Sequence, residues 1–274
     1  MKTHTILILI LLIFTTCTKS PSTNTPRYVI LSPEIAEILS ALNVSNRIVG
    51  ITRECDYPPE LQSIRTVGNF GQYNLESIIA LNPSAVFTTA LEQSEITTQL
   101  QRLNITTHQF YPRNIPELFD TIKSLGKIVE KETVADSLIN YMQTNLEQFS
   151  YYKTEERKPT IYIEIYGNPI MSADDSSYLG QLLIYAGLDN IFPELIRDYA
   201  RVNPEDVVSR NPDIILLTYP GITKEDIKNR KGWSNINAVI NDRIYDINDI
   251  NPDLILRAGP RNIMGIHKLA EFVP

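Results

Sequence analysis

Short loops of this sequence carry aromatic side chains that could bind a flat ligand. These loops follow predicted strands. Their aromatic residues are Tyr57, Phe70, Tyr73, Tyr166 and Tyr219. Rings on opposite sides of a groove suit a broad, partly apolar ligand, because aromatic faces stack on flat surfaces. Each ring also has a structural alternative, in which it packs at the rim of its loop and touches no ligand.

The sequence contains no catalytic motif that we recognise. It has no G-x-G-x-x-G, no phosphate-binding loop and no G-x-S-x-G, and its histidines after residue 16 are His108 and His267. Neither histidine belongs to a cluster with metal-ligand spacing, so we interpret both as packed or surface residues and predict no metal site. The carboxylates form no pair typical of acid–base catalysis. We expect a binding protein and not an enzyme; a hydrolase or chelatase on the same scaffold is the alternative from another class.

Composition agrees with a soluble globular body. The chain has 274 residues, of which 43% are hydrophobic and 21% charged, and its formal net charge is −7. This length can bury one large core or two smaller ones. An acidic chain without a run of Lys and Arg is a poor ligand for a phosphate backbone, so nucleic acid is not expected as a partner.

The amino terminus has the pattern of an export signal. Residues 1–16 are a predicted signal peptide, because the apolar stretch 6–14 is too short to span a membrane. Cys17 follows directly and is the predicted lipidation site, although Thr16 and its neighbours depart from the usual pattern; an ordinary secretory peptide is the alternative. Residues 17–26 form a predicted tether. Lipidation leaves Cys55 without a disulfide partner, and we expect it to be a buried, inert thiol, with a metal ligand as the alternative.

The body is predicted to be α/β, with two similar Rossmann-like lobes. Residues 27–115 and 158–274 alternate strands and helices with short connections, which is typical of parallel sheets covered by helices. Residues 116–157 form a predicted connecting helix region, a long helix in two pieces that meet near residues 126–131. We expect this connector to be stiff, so that the cleft between the lobes closes little on binding.

An internal sequence repeat supports two related lobes. Residues 74–89 (NLESIIALNPSAVFTT) and 203–218 (NPEDVVSRNPDIILLT) share polar and apolar positions. Each segment predicts a helix capped by Asn, ended by Asn-Pro and followed by a buried strand. Glu76 and Glu205 occupy equal positions in the two copies, which indicates duplication.

Several stretches together resemble the periplasmic binding proteins of cobalamin and iron-chelate ABC importers, in which one long helix joins the lobes. The matching segments are ILSPEIAEILSALNVSNRIVGITRECDYPPE, VGNFGQYNLESIIALNPSAV, VNPEDVVSRNPDIILL, GWSNINAVINDRIYDI and LRAGPRNI. They cover most of residues 27–272. Cys-Asp-Tyr-Pro-Pro followed by Gly-Asn-Phe is most similar to the cobalamin-binding branch.

The resemblance implies roles for particular residues. Tyr57 falls where relatives stack a ring on the corrin, and Phe70 where they place an aromatic residue. Thr89 stands where relatives have a second tryptophan, so one stacking surface is lost. Tyr166 and the pair Asp253 and Arg257 are expected at the ligand's amide edge. Tyr73 and Tyr219 are candidates from the loop pattern alone.

The resemblance also implies a function. We expect an extracytoplasmic lipoprotein, in the periplasm or at the cell surface, that binds a corrinoid and no catalytic cofactor; a ferric siderophore or haem is the alternative ligand. Its partner would be an ABC importer permease dimer, and the protein would be a monomer held to the membrane by its lipid anchor. Glu76 and Glu205 would dock onto the permease, although each also suits the positive end of its helix.

Overall fold

The computed structural model describes residues 25–89, 94–149 and 158–273. The predicted signal peptide, the lipidation site Cys17 and most of the tether lie outside these residues. Within the part of the chain that the structure describes, no helix is both long and apolar enough to cross a bilayer.

The first half of the chain builds a four-stranded parallel sheet. Its elements are β1 (Tyr28–Ile30), α1 (Pro33–Ala41), β2 (Ile48–Ile51), β3 (Gly68–Asn69), β4 (Gln72–Tyr73), α2 (Leu75–Ala80), β5 (Ala85–Thr88), α3 (Ser94–Arg102) and β6 (Thr107–Gln109). The strand order is β2-β1-β5-β6, and β3 with β4 forms a separate hairpin. Local sequence sets the start of α1, since the Ser32 hydroxyl accepts a hydrogen bond from Ile35 N and Pro33 is the first helical residue.

Two helices follow, α4 (Ile115–Ile128) and α5 (Glu132–Gln148). They meet at residues 129–131, within the predicted break. Glu130 has a φ of 59°, and Lys131 N donates to Gly126 O at 2.7 Å, which closes α4 with a left-handed cap. A Cβ atom on Gly126 would lie 2.5 Å from Ala135 Cβ, so the chain turns sharply there. The connecting region is therefore two helices joined by a bend, as the predicted break indicated.

The second half contains β7 (Thr160–Glu164), β8 (Tyr166–Gly167), β9 (Ile170–Ala173), α6 (Tyr178–Tyr185), β10 (Asp189–Asn190), β11 (Tyr199–Arg201), α7 (Pro204–Arg210), β12 (Ile214–Leu217), α8 (Lys224–Lys228), α9 (Asn237–Ile240), β13 (Ile244–Tyr245), α10 (Asp253–Leu256) and α11 (Asn262–Ala270). A parallel sheet has the order β10-β7-β12-β13. A small antiparallel sheet, β11-β9-β8, adjoins it.

The two parallel sheets share one topology. In each, the first strand is flanked by the second and third strands of that sheet in chain order, and the fourth lies at the edge. The two copies of the internal sequence repeat occupy the same place in both sheets: α2 leads into β5 and α7 leads into β12. Asn82 and Asn211 both adopt left-handed backbone, with φ of 45° and 47°, before the Asn-Pro step. Only Asn74 caps with its side chain, because Asn203 makes no such bond.

The lobes share a hydrophobic core. One cluster of buried residues includes Ile30 and Phe87 from the first sheet and Ile163 and Leu216 from the second. Side chains of α4, such as Leu118 and Ile122, belong to the same cluster. Continuous packing of this kind resists independent movement of the lobes, because separating them would expose apolar surface to water.

Candidate functional site

A cavity of about 540 Å³ lies where loops of the two lobes meet. Its lining residues are Glu34, Phe70, Thr89, Tyr111, Pro112, Arg113, Ile165, Tyr178, Asp198, Tyr199, Leu256, Arg257 and Ala258. Several of them directly follow the carboxyl ends of β1, β5, β6 and β7. Loops at that edge of parallel sheets converge, so the fold itself places these residues together.

Aromatic side chains make up much of the cavity wall. Phe70 comes from the β3–β4 hairpin and is 48% exposed, so its ring is available to a ligand. Tyr111, Tyr178 and Tyr199 contribute three phenols, and the Tyr178 hydroxyl donates to Asn262 Oδ1 at 2.8 Å. Burial raises the pKa of all three tyrosines above the usual value, so their hydroxyls stay protonated and can donate hydrogen bonds.

Arg257 is the cavity's most heavily paired charge. Its guanidinium lies 2.8 Å from Asp56 Oδ1, 3.0 Å from Asp253 Oδ2 and 3.2 Å from Glu37 Oε1. Burial disfavours this charge, but the surrounding carboxylates hold the pKa of Arg257 above its usual value. Asp56 and Glu37 come from the first lobe and Arg257 from the second, so these ion pairs bridge the lobes.

Arg261 completes this interlobe ion-pair cluster, which we call the clasp (Glu37, Asp56, Arg257 and Arg261). Arg261 Nε donates to Glu37 Oε2 at 2.7 Å, and its guanidinium carbon lies 3.9 Å from the centre of the Tyr57 ring. Glu37 is almost fully buried. The clasp covers one face of Tyr57, whose ring is 40% exposed.

Two further carboxylates line the cavity without a close cation. Glu34 lies in the first turn of α1, and Asp198 immediately precedes β11. Among the residues that the structure describes, neither forms an ion pair within 4 Å, whereas Arg113 pairs with Glu117 at 3.0 Å. Burial raises the pKa of Glu34, against the opposing effects of its own backbone N–H, Ser32 and Arg257.

The structure brings some of the predicted ligand-binding residues to the cavity. Phe70 and Arg257 line it, Asp253 contacts Arg257, and Tyr57 lies against Arg261. Their roles as ligand contacts remain predictions.

The other three predicted residues lie elsewhere. The Tyr73 hydroxyl accepts from Gly71 N at 3.1 Å, and Tyr73 lines a separate pocket of about 270 Å³. Tyr166 is 53% exposed, and its ring centre is 6.2 Å from that of Tyr219. Tyr219 donates to Glu164 Oε1 at 2.5 Å. None of the three is among the cavity's lining residues, so a ligand confined to that cavity would not touch them.

Sequence reasoning missed much of the cavity lining. Glu34 had a detectable signal, since it lies four residues after β1 and follows Ser32-Pro33, a pair typical of a helix start. Tyr111, Pro112 and Arg113 follow β6, which has only three residues and gave no strand prediction. Asp198 precedes β11 and Tyr199 begins it, and the short strands of this small antiparallel sheet have no distinctive pattern.

Cys55 and the two histidines pack against other side chains of the protein and do not line the cavity. Cys55 is 1% exposed and lies 3.4 Å from Thr52 Oγ1; burial raises the pKa of its thiol to about 12. The His108 ring packs on Phe87 and the His267 ring on Phe149, as expected for packed residues. In the described part of the chain, no group of three or more His, Cys, Asp or Glu side chains is placed to hold a metal ion.

Glu76 and Glu205 have equivalent surroundings. Each lies in the first turn of its helix, α2 or α7, and each is exposed. Neither forms an ion pair with another described residue. α2 and α7 each lead into the third strand of their sheet, so the two carboxylates occupy equivalent positions in the two lobes.

Comparison with known proteins identifies the family. Residues 29–251 match the model of a family described as periplasmic binding protein. The chain belongs to the periplasmic binding protein family. Its members are substrate-binding proteins, and the bilobal α/β fold with its interlobe cavity agrees with that membership.

Three relatives illustrate the range of this periplasmic binding protein family. The chain is 29% identical to YvrC of Bacillus subtilis strain 168, an uncharacterized ABC transporter substrate-binding lipoprotein, over 90% of this chain and 79% of YvrC. It is 27% identical to the vitamin B12-binding protein of Salmonella choleraesuis, over 90% and 89% of the two chains. A crystal structure of a possible iron-binding periplasmic solute-binding protein from Staphylococcus epidermidis superposes with a TM-score of 0.78, at 26% identity, over 90% of this chain and 97% of that one.

Proposed function

We propose that this protein is a lipid-anchored extracytoplasmic receptor that captures a corrinoid in the interlobe cavity and delivers it to an ABC importer permease. Similarity to a vitamin B12-binding protein over nearly the whole chain supports the ligand class. Similarity to a substrate-binding lipoprotein of an ABC transporter supports the role and the anchor.

The observation that carries the ligand proposal is the charge state of the cavity. Both arginines that line it, Arg113 and Arg257, are already neutralised by carboxylates of the protein itself. A ligand with several carboxylates therefore finds no unpaired arginine among the described residues that line the cavity. A corrinoid, whose edge carries primary amides, can donate to the carboxylates Glu34 and Asp198, which form no ion pair with another described residue, and accept from the hydroxyls of Tyr111 and Tyr199.

The shape of the lining supports the same ligand. Phe70 and Leu256 are both partly exposed apolar side chains at the cavity, and together with Pro112 and Ile165 they provide apolar surface for a macrocycle. The volume of about 540 Å³ is that of a pocket for one small molecule. A whole cobalamin is larger than this cavity, so part of the ligand would lie outside it.

A ferric siderophore or haem is the alternative ligand. The phenols of Tyr111, Tyr178 and Tyr199 favour it, because a phenolate can bind ferric iron. The raised pKa of each tyrosine opposes it, since the phenolate form is disfavoured in the cavity.

Equilibrium dialysis against three coloured ligands separates these candidates. The purified protein is dialysed against cyanocobalamin, haemin and a ferric trihydroxamate siderophore, and bound ligand is quantified by visible absorbance. We expect one cyanocobalamin per chain at micromolar concentration and no saturable binding of the other two. Saturable binding of haemin or the siderophore without cyanocobalamin would replace the corrinoid assignment by the alternative.

We propose that Glu76 and Glu205 dock onto the permease dimer. Their support is the matching position, the exposure and the lack of a cationic partner among the described residues, since two equivalent carboxylates suit a partner with twofold symmetry. Interaction with the positive end of a helix explains either residue alone. Glu132, in the first turn of α5, has the same interaction without a counterpart in the other lobe, so it serves as the control for this alternative.

Transport into cells tests the docking proposal. The variants Glu76→Gln and Glu205→Gln, and the control Glu132→Gln, are each expressed with the cognate permease, and uptake of labelled ligand is measured. We expect reduced uptake for the first two variants with unchanged ligand affinity. Normal uptake by the double variant Glu76→Gln/Glu205→Gln would contradict docking through these residues.

The proposed anchor on Cys17 has a separate test. Cells fed a radiolabelled fatty acid should incorporate the label into the wild-type protein and not into the variant Cys17→Ser. Equal labelling of both would contradict acylation at this residue.

A further inference from the structure

Glu34 and Asp198 reach the same cavity from opposite lobes. Glu34 follows β1 of the first sheet, while Asp198 precedes β11 of the second lobe, and both line the cavity. Nothing else in the fold requires Asp198 there: it is not in the first turn of a helix, and no hydrogen bond or ion pair of its side chain with another described residue is seen. Helix-dipole stabilisation accounts for Glu34 only.

The surroundings of these carboxylates strengthen their negative field. The cavity and the groups that pair with its arginines contain six carboxylates, which are Glu34, Glu37, Asp56, Glu117, Asp198 and Asp253. They face three guanidinium groups, those of Arg113, Arg257 and Arg261. A concave site with an excess of one sign of charge concentrates its field on whatever enters, because the protein walls screen charge less than water does.

We propose that Glu34 and Asp198, which we call the carboxylate pair, select ligands whose periphery carries N–H donors and reject ligands that carry carboxylates there. This inference rests on the proposed function and adds the chemical class of the ligand's periphery. A primary amide placed beside either residue can donate a hydrogen bond to a carboxyl oxygen. A carboxylate in the same place meets a like charge in a partly desolvated site, a costly arrangement.

The position of Glu34 fits this role. It is half-buried, and the loss of solvation around it raises the pKa of its carboxyl group. A group that has lost part of its water gains more from a ligand's donor than an exposed carboxylate does, because the donor restores a missing hydrogen bond. Asp198 lies beside Tyr111 and Tyr199, whose hydroxyls offer donors of their own to a ligand's carbonyl oxygens.

Hydrolysis of a single amide of cyanocobalamin provides a matched pair of probes. Each monocarboxylic acid derivative differs from cyanocobalamin by one ionised group at the corrin edge. Affinities for both are measured by competition dialysis at pH 7.5 with the wild type, the double variant Glu34→Gln/Asp198→Asn and the control Glu132→Gln. We expect the wild type and the control to prefer cyanocobalamin over the acid derivatives by about tenfold or more.

The double variant should retain cyanocobalamin binding within about threefold, because Gln and Asn keep an acceptor oxygen. Its preference against the acid derivatives should fall to a small factor. If the wild type shows no such preference, or the double variant keeps it in full, the carboxylate pair does not select the ligand, while the corrinoid assignment stands.

A second pair of probes tests the charge selection in case the protein does not bind corrinoids. A neutral ferric trihydroxamate and the anionic ferric citrate complex are compared in the same way. Preference for the neutral chelate, lost in the double variant, supports charge selection even where cyanocobalamin does not bind. Binding of ferric citrate or haemin by the wild type, without binding of any neutral probe, overturns both proposals.

Discussion

Glu37 and Arg261, 224 positions apart in the sequence, form a two-point ion pair across the lobes. Arg261 Nε and Nη2 lie 2.7 and 2.5 Å from the two carboxylate oxygens of Glu37. Arg257 also contacts this carboxylate. One buried residue of α1 therefore holds two arginines that flank the cavity, and the clasp links cavity geometry to the relative position of the lobes.

The substitution Glu37→Gln should destabilise the protein by about 3 kcal/mol, because it leaves two guanidinium groups without their shared buried counter-ion. Urea unfolding monitored by circular dichroism measures the change. The control is Glu271→Gln, which removes an exposed ion pair with Lys268 and should leave stability unchanged within error. Equal stability of the two variants would show that the clasp contributes nothing.

A glycine in the second lobe should tolerate no side chain. A Cβ atom on Gly167 would collide with the Tyr219 hydroxyl, which is bonded to the buried Glu164. We expect Gly167→Ala to lower the free energy of unfolding by about 2 kcal/mol. In the control Gly259→Ala, the new atom would lie 3.8 Å from its nearest neighbour, so thermal unfolding should match the wild type. A Gly167→Ala protein as stable as this control would contradict the described position of Tyr219.

The thiol of Cys55 should be unreactive in the folded protein. Burial keeps its pKa near 12, so almost no thiolate exists at pH 8, and the sulfur is also shielded from reagents. In the variant Cys17→Ser, a thiol reagent such as dithionitrobenzoate should react slowly in buffer and rapidly in 6 M guanidinium chloride. Rapid stoichiometric reaction in buffer would contradict burial.

Asp213 should make the second sheet sensitive to acid. Partial burial opposes its charge, but hydrogen bonds from Thr160 N and Oγ1 and from Asn237 hold the pKa of Asp213 below its usual value. A carboxyl group whose pKa is lower in the folded state stabilises the fold above its unfolded-state pKa of about 3.9, and this stabilisation is lost as the pH falls through the folded-state value.

The difference in melting temperature between the wild type and Asp213→Asn should therefore be largest near pH 6 and shrink towards pH 3. Differential scanning calorimetry at several pH values measures it, with Asp120→Asn, at an exposed residue of α4, as the control. A difference that stays constant across this range would contradict the assignment.

Local patterns predicted the elements of the fold well. The pair Ser32-Pro33 is typical of a helix start and stands at the start of α1. The internal sequence repeat placed α2, β5, α7 and β12 at equivalent points of two sheets. These succeed because capping, periodicity and Asn-Pro breaks act within a few residues. The break in the connector was predicted near residues 126–131, but its geometry was not, since the bend depends on a left-handed Glu130 and on the close approach of Gly126 to Ala135.

The cavity was harder to predict from sequence. Phe70 and Arg257 were among the candidates, but Asp198 and Tyr199 reach the cavity through β11, a three-residue strand with no signal of its own. The clasp joins residues from opposite ends of the chain, and no local pattern reports such a contact. Tyr219 had a loop position like that of a ligand contact, yet its hydroxyl donates a hydrogen bond to the buried Glu164.

The interlobe cavity as the ligand site is tested most directly by replacing Phe70. Phe70→Ala removes an exposed ring from the cavity, while Tyr141→Ala removes an equally exposed ring from α5. Titration calorimetry with cyanocobalamin should give a dissociation constant raised about tenfold or more for Phe70→Ala, since one ring is worth roughly 1–3 kcal/mol to a stacked ligand. Tyr141→Ala should match the wild type. An unchanged dissociation constant for Phe70→Ala would contradict binding in this cavity.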